Sequence, residues 1–531
     1  MLKPQISCCA YWTALVLTTF VVVEEAWPES NSQQRTTSRR IIYNDDGGKM
    51  KNMTHSSIES YLSSRLARLE DTQVDSVFFC GHDDWAGAFY ESEVDGVELR
   101  ASSALRQLLC EGIDPMQETI DFCHQNNIDI FYSFRMNDIH DSFSGNIGQL
   151  KQDHPEWLLG NKDRDHPPVD TSNRTLKECI WSSLNYDLPP VREHIMRFIR
   201  EAIERWEWDG LELDYGRNAS LFPAVFEGRS ATDEDRKTLT IFQRQIRERA
   251  NAAALNRRRP CLIAVVVPET IEKARHVGID IERWLEEDLV DIIIAGNGYI
   301  PFSPAAFEMI SVGRRHGVPV HIKVNANTGG SGHPYHNYIE LWRACATNAI
   351  ESGSDGIYLF NTYDSKRYYN HKLELFNELD SSDALRFRDK LYLVDWDFTQ
   401  WGYGGGDVEF YMPRNNLLPL HLADKENQVE FTCFENIRRA ISLGKKPDII
   451  LRLGVEGLKA GDEVTFVINE FLLLEPSSEI ESDGIVTYEY VLEPEQISCG
   501  TNTIRANLVQ REVEATQAAM TVAELWMRYS E

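Results

Sequence analysis

Between residues 72 and 385 short apolar runs alternate with amphipathic helical stretches. The runs are Ser76–Cys80, Ile128–Phe134, a weaker one at Ile180–Tyr186, Gly210–Asp214, Leu262–Val267, Val290–Ala295, Val318–Val324 and Gly356–Phe360. Strands that alternate with helices predict a parallel sheet covered by helices, and eight such units predict a closed (β/α)8 TIM barrel. The helical spacing is clearest after Pro189 and Pro190, where Val191, Ile195, Phe198, Ile199, Ala202, Ile203 and Trp206 share one face. That helix gives way to Trp208-Asp209-Gly210 and a strand; residues 338–351 repeat the pattern, leading to Asp355-Gly356 and another strand. Asp209 and Asp355 therefore read as turn residues at strand starts.

After residue 385 the period changes. Strand-like runs follow at Leu391–Val394, Val408–Tyr411, Ile449–Leu453, Glu463–Ile468, Val486–Val491, Thr503–Leu508 and Ala523–Tyr529, separated by turn residues such as Gly404-Gly405-Gly406 and Gly461-Asp462. Residues 386–531 are thus predicted to form an all-β sandwich of jelly-roll type, packed on the barrel and assisting substrate binding or stability. At the other end, Lys3 precedes an apolar stretch from Ala10 to Val23. This predicts a signal peptide over 1–28, with an uncleaved N-terminal anchor as the alternative, and a secreted, periplasmic or cell-surface protein. Residues 29–71, rich in Ser, Thr, Asn, Gln and Arg, read as a flexible leader that ends in a helix near Ile58–Leu69.

Charge narrows the partners. There are 54 Lys plus Arg against 83 Asp plus Glu, a formal net charge of -29. So acidic a chain argues against nucleic acid and against an anionic membrane surface. It also disfavours long polyanionic glycans, unless a local Arg or Lys cluster overrides the mean field. Beyond the apolar stretch there are Cys80, Cys110, Cys123, Cys179, Cys261, Cys345, Cys433 and Cys499; no CxxC pair occurs, and export permits disulfides without indicating their pairing.

In a β/α barrel the chemistry sits where the strands end. Those exits carry His82, Asp84 and Trp85; Arg135, Asn137 and Asp138; Asn185; Glu212 and Asp214; Glu269; Tyr299; and Lys323 with Asn325. A barrel that is only a scaffold has no need of so many polar exits. In Trp208-Asp209-Gly210-Leu211-Glu212-Leu213-Asp214-Tyr215, alternation puts Glu212 and Asp214 on one face and Leu211 and Leu213 on the other. Two acids so close raise one another's pKa, which suits acid–base work. Asp214, Glu269 and Glu212 are the candidate catalytic residues, the others candidate substrate contacts. The structural alternative is a salt bridge from the acids to Arg135, Arg217 or Lys323. No P-loop, dinucleotide-binding turn or G-x-S-x-G elbow follows a strand, and no metal motif or cofactor is expected.

Three segments resemble glycosidase-type β/α barrels, in particular the bacterial glycosyl hydrolase-like 10 group: Phe134-Arg135-Met136-Asn137-Asp138-Ile139-His140-Asp141, the segment Trp208–Tyr215, and Gly353-Ser354-Asp355-Gly356-Ile357-Tyr358-Leu359-Phe360-Asn361. The fourth-strand segment is also similar to the family 18 chitinase signature, but Gly216 stands where that family has its Glu. Family 10 proper has a nucleophile after the seventh strand, where this chain runs His321-Ile322-Lys323-Val324-Asn325 with no carboxylate.

The resemblance implies a secreted glycoside hydrolase that cleaves a poly- or oligosaccharide with a pair of carboxylates. Asp214 and Glu269, from adjacent strands, form the expected pair, with Asp214 as nucleophile or base and Glu269 as acid. The alternatives are a non-catalytic glycan-binding protein with a degenerate barrel, and a metal-assisted barrel hydrolase.

Overall fold

The computed structural model describes residues 39–161, 179–296, 306–324, 338–360, 375–379, 381–394, 418–422, 427–459, 461–510 and 518–529. Eight parallel strands close into a barrel: β1 (Ile41–Asp45), β2 (Ser76–Phe79), β3 (Asp129–Arg135), β4 (Gly210–Asp214), β5 (Leu262–Val267), β6 (Ile292–Ala295), β7 (Val320–Val324) and β8 (Gly356–Leu359). Each strand pairs with its neighbours in chain order, and β8 returns to β1.

Two corrections follow. Ile180–Tyr186 is not a strand: Ile180–Ser182 form a 3-10 turn, and Leu184 makes one isolated bridge to Leu158. The missing strand is Ile41–Asp45, inside the stretch expected to be a flexible leader, so the barrel begins about thirty residues before residue 72. Five residues, Ile-Ile-Tyr-Asn-Asp, are too few to stand out beside a polar stretch, yet all five are buried. The helix expected at the end of the leader spans Ile58–Arg65.

Helices cover the outside, among them α1 (Pro115–Gln125), α2 (Pro189–Arg205), α3 (Asp233–Arg257) and α4 (Ile339–Glu351). Val191, Ile195, Phe198, Ile199, Ala202 and Ile203 of α2 are all buried, as the helical spacing requires. Inside the barrel, Ile42, Phe78, Phe131, Leu262, Ala264, Val266, Ile292, Ile294, Tyr358 and Phe360 pack as one cluster. The interior is therefore solid, and in barrels of this kind chemistry sits at the C-terminal ends of the strands.

At the opposite, N-terminal end one device repeats four times. The Asp just before each even-numbered strand accepts a backbone N–H at the start of the preceding odd-numbered strand. Asp75 takes Ile41, Asp209 takes Ile130, Asp291 takes Ile263 and Asp355 takes Val320, at 2.8–3.0 Å. Asp209 and Asp355 are thus more than turn residues: they tie neighbouring strands at the base.

The C-terminal region is a β-sandwich. Its strands are β9 (Lys390–Leu393), β10 (Leu420–His421), β11 (Gln428–Cys433), β12 (Asp448–Glu456), β13 (Glu463–Ile468), β14 (Phe471–Leu473), β15 (Ser478–Ser482), β16 (Ile485–Leu492), β17 (Gly500–Gln510) and β18 (Ala519–Arg528). One antiparallel sheet runs β9-β18-β12-β16-β15, with β10 also on β18; the other runs β11-β17-β13-β14. The run expected at Val408–Tyr411 lies outside the described residues. The sandwich packs on the barrel through α4. Asn348 donates to the Thr432 carbonyl at 2.9 Å and accepts from the Phe434 N–H at 3.0 Å, and Tyr338 meets Trp526 edge-on.

Candidate functional site

The register of β3, β4 and β5 builds the site. Glu212 lies beside Ser133 and Ala264; Asp214, one inward step nearer the mouth, lies beside Arg135 and Val266. Glu212 is fully buried and Asp214 is 4% exposed. From the far side of the barrel the Tyr358 hydroxyl donates to Glu212 Oε1 at 2.5 Å. Burial, then the Asp214 charge, push the Glu212 carboxyl up to about 8, against bonds from Ser133 and Tyr358 and the charge of Lys323. Glu212 therefore holds its proton at neutral pH. Among the described residues Glu212 Oε2 and Asp214 Oδ1 are buried without a hydrogen-bond partner, a state native proteins seldom tolerate without a use.

Lys323 rises into the same space from β7, 4% exposed, and its Nζ has no hydrogen-bond partner among the described residues. The amine sits 3.8 Å from the centre of the Phe360 ring, and the Arg217 guanidinium carbon lies 5.1 Å from that same centre. Burial brings Lys323 down to about 8; Asp214 and Glu212 resist the shift and Arg217 adds to it. Gly296, at the end of β6, makes room for this side chain: a Cβ there would come within 2.6 Å of Lys323 Cβ, and its φ of +148° suits only glycine.

Glu269 lies two residues past the end of β5 and is 2% exposed. One of its oxygens is held by Lys273, and Oε2 has no partner among the described residues. Arg135 donates to Asp138 at 2.9 Å and to the Asp46 carbonyl at 3.3 Å. Burial opposes ionisation of Asp138, but His140 and Arg135 outweigh it and hold the carboxyl well below the usual range.

Other candidates serve packing. His82 is caged by Trp85, Tyr132, Phe134 and Phe198, and burial lowers its pKa to about 3. Trp85 stacks on Phe134, and its indole donates to the Met136 carbonyl. Asn137 clamps two loops by bonding Leu184 and Ser220. Asp84 accepts from the Ala86 N–H and pairs with Arg100 at 3.2 Å; burial raises it to about 6. Asn185 caps the Asp187 N–H in a loop. Tyr299 and Asn325 lie outside the described residues.

Tyr358, Phe360 and Ser133 were not singled out from sequence. The signal for Tyr358 and Ser133 was parity, since each alternates inward beside Lys323 or Glu212; Phe360, just past β8, keeps the parity of Tyr358 and joins the interior cluster. Beside the mouth opens a groove of about 1330 Å³, with Asp46, Lys51, Arg100, Arg135, Lys151 and Trp181 among its lining. Arg135 joins it to the mouth; Glu212, Asp214 and Glu269 do not line it. Among the described residues no group of three or more His, Cys, Asp or Glu is placed to hold a metal ion, and no helix is long and apolar enough to cross a membrane.

No curated protein matches the chain. Among solved structures it is similar to alpha-L-fucosidase isoenzyme 2 from Paenibacillus thiaminolyticus, with 12% identity and a TM-score of 0.42 over 66% of this chain and 51% of that one, about half the fucosidase's length. It is also similar to the PgaB (BpsB) glycoside hydrolase domain from Bordetella bronchiseptica, with 11% identity and a TM-score of 0.43 over 65% and 99% of the two chains. A third, the GH36 alpha-galactosidase AgaA from Geobacillus stearothermophilus, has 11% identity and a TM-score of 0.35 over 93% and 56%. Residues 51–223, which carry the Phe134–Asp141 segment and both acids of β4, match the family Glycosyl hydrolase-like 10.

Proposed function

We propose that the protein is a glycoside hydrolase whose proton-handling centre is the Glu212–Asp214 couple. One observation carries this: two inward carboxyls at the barrel mouth, one held protonated past neutrality, each with an oxygen that no group among the described residues satisfies. Glycoside cleavage needs one carboxyl that brings a proton and one that meets the anomeric carbon or its attacking water. Asp214, nearer the mouth, takes the second role. Glu212, which holds a proton, takes the first. The pairing expected from sequence gave the proton to Glu269, but Lys273 occupies one oxygen of that carboxyl. The apolar stretch Ala10–Val23 supports export, and a glycan outside the cytoplasm is the substrate class that fits.

The test is kinetic. The purified protein is screened on polysaccharides and on aryl glycosides graded in leaving-group acidity. Glu212→Gln should spare substrates with acidic leaving groups, which need little protonation, and lose the poor ones. If Glu269→Gln shows that split and Glu212→Gln does not, the proton belongs to Glu269. Binding of glycans without any cleavage would make the barrel a glycan-binding module.

A further inference from the structure

Two cationic heads share one buried aromatic ring at the mouth. Lys323 Nζ and the Arg217 guanidinium both lie over Phe360, at 3.8 and 5.1 Å from its centre, and each side chain is less than a tenth exposed. Like charges brought together out of water repel strongly. The charged and titratable groups that act on Lys323 are Asp214 and Glu212 from β4, and Arg217 from the loop after it. Asp138 also acts on Arg217. Asp214 and Lys323 are close enough to feel each other's charge, yet among the described residues Asp214 Oδ1 has no donor and Lys323 Nζ no acceptor. A buried ammonium without an acceptor is costly, and a ligand that brings an anion removes the cost.

We propose that the sugar bound at Asp214 is acidic, a hexuronic acid whose carboxylate is received by Lys323 with Arg217 beside it. The stereochemistry fits. In a pyranose, C1 and C5 flank the ring oxygen, so a carboxylate on C5 lies close to the anomeric carbon. A cation that neighbours Asp214 can reach it, and Phe360 offers an apolar surface beside it. The site thus reverses locally what the overall charge of -29 opposes. A single terminal acidic residue or a short oligomer meets this local pair, while a long polyanion also meets the acidic surface.

The inference rests on the hydrolase reading for its chemistry, so two experiments separate them. The first compares fluorogenic aryl glucuronides and galacturonides with the matching glucosides and galactosides, in both anomeric series and with one leaving group. The glycuronides should be favoured in kcat/KM by about ten- to a hundredfold, the size of one charge-assisted hydrogen bond. Lys323→Met should erase that preference, and Arg217→Gln should reduce it, which keeps the test open if one variant fails to fold. Neutral glycosides cleaved as well as or better than glycuronides would overturn the inference and leave the hydrolase standing. The second experiment measures binding of free D-glucuronate and D-galacturonate against D-glucose and D-galactose by ligand-observed NMR. Uronate binding that is lost in Lys323→Met, without cleavage of any substrate, would sustain the acidic-sugar site and sink the hydrolase. Absence of both uronate binding and glycuronide cleavage would overturn the inference.

Discussion

The base and the mouth of the barrel use the same residue types in opposite states. At the base, Asp75, Asp209, Asp291 and Asp355 each accept the N–H of a neighbouring strand, and Asp209 and Asp291 add an Arg. Burial opposes the charge of Asp209, yet the bonds from His124, the Ile130 N–H and Arg259 hold it below the usual carboxylate range. At the mouth, Glu212, Asp214, Glu269 and Lys323 each keep a polar atom without a partner among the described residues. A buried acid that is fully bonded fixes a fold. A buried acid left partly unbonded raises the energy of the free protein until a ligand meets it. Asp209 and Asp291, the two buried acids of the base, differ from the mouth in hydrogen-bond satisfaction.

The largest effect expected from breaking this contrast is on turnover. Asp214→Asn should lower kcat by about a thousandfold or more while the circular dichroism spectrum and melting temperature stay near wild type. Asp209→Asn should do the reverse, with activity per folded molecule kept and the melting temperature lowered. A variant at either end that moved both quantities equally would dissolve the distinction.

Second in size is the stability of the base itself. Asp209→Ala strands Arg259, His124 and the Ile130 N–H together, and should cost about 3 kcal/mol in urea unfolding. A loss well below 1 kcal/mol would show that the four-fold tie is decorative.

Third is a pH signature of the mouth. The folded Glu212 lies near 8 against 4.5 for an ordinary Glu. Its stabilising share is therefore complete below about pH 4.5 and is lost as pH rises through 8. Lys323 is depressed from 10.5 to about 8, so its share is complete above about 10.5 and is lost as pH falls through 8. Unfolding free energy should thus fall from pH 4.5 to 8 and recover above it, for these two groups. Glu212→Gln should flatten the fall, seen in melting temperatures across that range. In activity, the alkaline limb near pH 8 should vanish with it.

The smallest effect concerns a residue near the mouth that packing has captured. His82, in its aromatic cage, is depressed to about 3, so its share of stability is lost as pH falls from 6.5 through 3. His82→Phe should change stability at pH 7 by less than about 1.5 kcal/mol and blunt acid unfolding below pH 5. A large loss of activity with an unchanged melting temperature would return His82 to the substrate site.

Much of this was written in local pattern. Alternation within Gly210–Asp214 put both acids on the inner face, the helical spacing of α2 marked its buried side, and strands in chain order led to the barrel. The strand at Ile41–Asp45 stayed hidden because its environment comes from β2 and β8, far along the chain. The run Ile180–Tyr186 was misread because apolar character alone does not distinguish a strand from a packed loop. Sequence also placed His82, Asn137 and Glu212 together as polar exits of one barrel. Only the closed structure decided that His82 is caged by aromatic rings and Asn137 spends its bonds on two loops, while Glu212 is left holding a proton beside Asp214. The physical reason is one of range. Side-chain alternation is set by the pleat of a single strand, two residues at a time. Desolvation, charge coupling and unmet hydrogen bonds depend on what three or four distant strands bring to the same point.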